Sequence, residues 1–82
     1  MQNDKEYVIR LNAFDLGQLL DGLEARANAW RHTAEYLETG HTPIPDFVME
    51  ECSDADEARK LADHYKCIIA LVLEQKVMQD QR

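Results

Sequence analysis

Apolar residues stand at Ala13, Leu16, Leu20, Leu23, Ala27, Trp30, Ala34 and Leu37, spaced 3, 4, 3, 4, 3, 4, 3 without a break. Alternating threes and fours place one apolar stripe along a long helix that packs on another helix. The residues between are mostly Asp, Glu, Arg, Gln, Asn and Thr. Asn12 reads as the N-cap, with Asp15 three positions on as its capping-box partner. Gly40 reads as the C-terminal stop, followed by Pro43 and Pro45. The expected helix covers 13–39 and is roughly 40 Å long at 1.5 Å per residue. Gly17 and Gly22 weaken its first half by roughly 1 kcal/mol each relative to alanine, unless they admit a close neighbour.

A second seam follows at Ala55, Ala58, Ala62, Tyr65, Ile69 and Val72, and it stops at Lys76. Ser53 reads as its cap, with Asp56 at the capping-box position and further acids in the first turn. The expected helix covers 54–78. Two long helices of matched length and one short connection make an antiparallel hairpin. Residues 41–45 form a non-helical connection, because two prolines hold it. Phe47, Val48 and Cys52 have helical spacing, so 46–52 reads as a short helix. Residues 7–11 are strand formers, with Tyr7, Ile9 and Leu11 on one face and Val8 and Arg10 on the other. A lone strand is unstable, so this one needs a partner from this chain or from a second copy. Residues 1–6 are polar and read as frayed. With 82 residues in all, the chain 1–82 reads as a single helical domain.

One hairpin does not use all of this apolar surface. Residues 67–73 are apolar on every side of the second helix, and such a helix is normally buried on every side. A buried strand is the other reading of so short a run, and the intact seam favours helix. Phe14 and Leu19 lie off the first seam, while Leu61, Ile68 and Leu71 make a stripe beside the second. Cys67 reads as a small buried hydrophobe and Cys52 as the more exposed of the two cysteines. The expected fold is therefore all-α, with a short N-terminal strand. Dimerisation completes the hairpin as a four-helix bundle. The expected interface is Leu19, Leu61, Ile68, Leu71 and Val72.

Charge narrows the choice of partner. Sixteen acids against nine bases give a net charge of −7, the wrong sign for a phosphate backbone. Residues 32–58 hold no Lys or Arg, while Asp46, Glu50, Glu51, Asp54, Asp56 and Glu57 crowd the approach to the second helix. Acids are routine there, as a solvated loop and a helix N-terminus. The functional alternative is a docking patch for a basic protein. Two cysteines are too few for a disulfide scaffold. The chain also lacks an apolar run of membrane-spanning length and a signal-peptide core near its N-terminus. A cytoplasmic location is expected, with no membrane contact.

No catalytic, cofactor or metal constellation stands out. The seams carry no acid, as a di-iron bundle would require. His32 with Glu35, and His64 with Cys67, have i, i+3 spacing, but they sit at different heights along an antiparallel hairpin. Ser53 is the only serine and is taken up as a cap. Arg59-Lys60-Leu61-Ala62-Asp63-His64 resembles the R-x4-H element of the HEPN ribonucleases. That resemblance implies a helical dimer in which Arg59 steadies an RNA phosphate and His64 acts as acid or base. Residues 7–23, a short strand, a cap and an amphipathic helix, resemble the opening of ribbon-helix-helix DNA binders. That resemblance implies a transcriptional regulator or antitoxin, yet neither face of the strand is basic enough for the major groove, Arg10 being the one base on it. The leading expectation is a small acidic interaction or structural module without catalytic activity, self-associating through the second helix.

Overall fold

The computed structural model describes residues 4–41 and 48–81, and these form two helices packed on each other as a hairpin. α1 is Ala13–Thr39 and α2 is Ala55–Asp80. Contacts run in opposite senses along the two. Glu38 near the end of α1 pairs with Arg59 near the start of α2, while Leu16 and Leu19 share a groove with Val72 and Gln79. The helices are therefore antiparallel.

Local chemistry fixes the helix ends. The Asn12 side chain accepts the Asp15 N–H at 2.7 Å. Gly40 closes α1 in the left-handed region at φ 75°, donating its N–H to the Tyr36 carbonyl at 2.7 Å. A Cβ would be strained at that φ. At α2 the expected cap moves by one residue. Asp54, not Ser53, accepts the Glu57 N–H at 2.9 Å, and the Glu57 carboxylate returns to accept the Ser53 N–H at 2.9 Å. The capping pair is thus Asp54 with Glu57 in place of Ser53 with Asp56. The charged Asp54 acceptor also faces the positive end of the helix dipole.

Both seams hold, but they are covered unevenly. Trp30, Ala34, Ala58 and Ala62 form the buried cluster, with Cys52, Leu61 and Tyr65 packed against it. One large indole meets small side chains opposite, so the backbones approach closely. This cluster lies in the half of the hairpin nearest the connection. Leu16, Leu20 and Leu23 of α1, and Ile68, Ile69 and Val72 of α2, are only half-buried. Ala13 is exposed.

Three further expectations differ from the structure. Residues 7–11 form no strand, and among the described residues there is no other strand to pair with them. Residues 48–52 form no helix, while 46 and 47 lie outside the described residues with the rest of the proline-bearing connection. Residues 48–52 run along α1, where the Glu50 N–H donates to the buried Thr33 hydroxyl at 3.0 Å. A helix of one or two turns would have to supply its own costly nucleus, whereas Thr33 offers a ready acceptor. The cysteines exchange roles: Cys67 is exposed and Cys52 is half-covered against the core. Position 67 lies two residues from both Tyr65 and Ile69, about 200° around the helix from the seam.

Candidate interaction surface

The expected interface residues do not all lie in one place. Leu19, Leu71 and Val72 line one groove of about 680 Å³ at the open end of the hairpin. Leu19 and Leu71 are exposed, and Val72 and Ile68 are half-buried. Leu61, also half-buried, packs on the Trp30 cluster, and Ile68 is not among the residues that line the groove. The non-helical segment 7–11 forms one wall of the groove, with Leu16, Gln75, Lys76 and Gln79 from the two helices around it. Phe14, 73% exposed, and Val77 and Met78 extend the apolar surface at this end.

Most of the acidic patch is engaged within the chain. Glu50 pairs with Arg26 at 2.7 Å, Asp54 caps α2, Asp56 pairs with Arg59 at 2.9 Å, and Glu57 completes the capping pair. Glu51 is exposed and has no partner among the described residues. Asp46 lies outside the described residues. These acids order the entry into α2, the ordinary role of acids at such a place.

Two contacts central to this region involve residues that the seam spacing does not single out. Arg26 lies 5.8 Å from the Trp30 ring centre and 6.0 Å from that of Tyr65, while it pairs with Glu50. Tyr65, and then Glu50, raise the Arg26 pKa further and keep its charge in place. Thr33 reads as a polar residue off the seam, yet it is fully buried. The signal lies in its phase: Thr33 follows Trp30 by three residues on the flank of the stripe, where a hydroxyl can satisfy passing backbone.

Arg59 bridges the helices. It pairs with Glu38 of α1 and with Asp56 of its own helix. The Glu38 carboxylate is the main cause of its raised pKa. His64 is exposed and lies edge-on to Tyr65, with ring centres 6.3 Å apart. Five positions along a helix separate two side chains by about 140°. Arg59 and His64 therefore address different surfaces of this chain.

Cys52 donates to the Asp54 carbonyl at 3.6 Å. Burial, then the Glu57 and Asp54 carboxylates, push its thiol pKa up, which favours the unreactive protonated form. Glu38 and His41 have the Glu-x-x-His spacing that di-iron bundles use, but left-handed Gly40 between them ends the helix, so they share no helical face. Among the described residues no three His, Cys, Asp or Glu side chains gather as a metal site, and no helix is long and apolar enough to cross a membrane. Comparison with protein-family models, with curated proteins and with solved structures found no match for this chain.

Proposed function

We propose that this chain is a non-enzymatic cytoplasmic interaction module that works as a homodimer. The open ends of two hairpins would pack together, with Leu19, Ile68, Leu71 and Val72 at the contact, to complete a four-helix bundle. The observation that carries this reading is surface area. The chain exposes 6877 Å². A compact monomer of its mass exposes about 5,000 Å², so the surplus is roughly 1,800 Å². A standard protein interface takes roughly 800 Å² from each partner, well within that surplus. The radius of gyration supports the same reading, at 15.4 Å. A compact chain of this length would have about 12 Å.

Charge distribution favours a second copy as the occupant. Residues 1–25 and 66–82 hold five bases and seven acids, whereas residues 26–65, with Arg26 on the Trp30 cluster, hold four bases and nine acids. The apolar end is close to neutral, so two such ends can meet without strong repulsion. The acidic ends then point outward, which keeps like charges apart. Two unpaired thiols suit a reducing compartment.

Sedimentation equilibrium over a wide concentration range tests the reading. The wild-type chain is expected to be a dimer and Leu71→Glu a monomer of similar helix content. A wild-type monomer throughout that range would overturn it.

A further inference from the structure

We propose that residues 7–11 are one half of a two-stranded antiparallel ribbon, and that the other half is the same segment of a second copy. This rests on the homodimer proposed above and assigns its N-terminal arm a role. The segment lies outside both helices and pairs with no strand of its own chain among the described residues. Its residues are strand formers, and Lys5 Nζ lies 5.5 Å from the centre of the Tyr7 ring. Its backbone polar groups have no hydrogen-bond partner among the described residues. Its apolar side chains are open too: Tyr7 is 74%, Val8 94% and Ile9 75% exposed. Unpaired backbone with strand-forming side chains is a template for another strand.

Position and charge select a second copy as that strand. The arm walls the groove that also holds Leu19, Leu71 and Val72, so ribbon and helix contact would form one continuous interface. Antiparallel pairing of a segment with itself needs only a two-fold axis, the operator of most homodimers. Centred on Val8, the pairing sets each Glu6 opposite the other copy's Arg10 and each Tyr7 opposite the other copy's Ile9. Opposite charges then face each other, and the apolar pair shares the side that carries Leu11.

The test uses the full chain with Cys52→Ala and Cys67→Ala, so that an added cysteine is the only thiol. Val8→Cys places two thiols across the axis, within the Cα separation a disulfide spans. Arg10→Cys places them four residues apart along the ribbon, roughly 13 Å and out of reach. Mild oxidation is expected to link most of the Val8→Cys protein and at least tenfold less of the Arg10→Cys protein. Equal linking of both would overturn the ribbon, because freely colliding or parallel arms behave that way. Linking of neither, in a protein that still sediments as a dimer, would overturn the ribbon and leave the helix contact standing. A protein that sediments as a monomer would overturn both proposals.

Discussion

The Thr33 hydroxyl accepts the Glu50 N–H at 3.0 Å while donating to the Ala29 carbonyl at 2.8 Å. One buried side chain thus satisfies backbone on α1 and on the segment leading into α2. Thr33→Val keeps the shape and removes both bonds. The Glu50 N–H then loses its acceptor, at a cost of about 1 to 3 kcal/mol. Denaturant unfolding measures the loss. Hydrogen exchange at Glu50 should accelerate in the same variant, and unchanged exchange there would mean that the bond does not hold the segment.

Trp30 is the largest member of the buried cluster. Trp30→Ala should cost about 3 to 5 kcal/mol, which leaves so small a domain largely unfolded. Circular dichroism on heating checks this. A folded variant with unchanged melting would show that the indole is not the centre of the core.

Gly17 and Gly22 have no atom within 4 Å of where a Cβ would stand. Within one hairpin, each change to alanine should therefore stabilise α1 by about 1 kcal/mol. The melting temperature reads that gain. Sedimentation of the same variants reports on assembly: a weakened dimer would place the glycine against the second copy.

Cys52 carries a pH dependence. Its thiol pKa is raised in the folded chain, so folding holds that proton more tightly than the unfolded state does. Its contribution is fully present below the unfolded thiol's pKa and is lost as pH rises through the folded value. Melting should therefore fall as pH climbs beyond about 8.5, the ordinary thiol value. Cys52→Ala should flatten that fall. An identical slope in the variant would assign it to other groups.

Helix positions were legible because caps and periodicity act over three or four residues. The spacing predicts α1 at 13–39, which matches Ala13–Thr39, and α2 at 54–78, against Ala55–Asp80. The misplaced Ser53 cap reflects competition between adjacent acceptors, where the charged Asp54 wins. Less legible were features set by distant partners. Residues 48–52 have some helical spacing, but Thr33 and Arg26, remote in sequence, determine their path. Cys67 sits in an apolar run, and a run describes composition, whereas phase decides which face a residue occupies. Of the expected contact residues, Leu19, Leu71 and Val72 line one groove, while Leu61 packs on the Trp30 cluster and Ile68 lies outside the groove lining.

The placement of the buried cluster beside the connection makes the hairpin mechanically asymmetric. Tyr7 and Asp80 line the same groove, so the segment before α1 and the end of α2 meet at the loosely covered end. Tension applied to those two segments parts the half-covered Leu and Ile pairs first and reaches Trp30 and Ala58 last. Closure runs the other way, since contacts nearest the turn, such as Glu38 with Arg59, enclose the shortest loop. The chain is a clip whose grip is set back from jaws that still have apolar surface to offer.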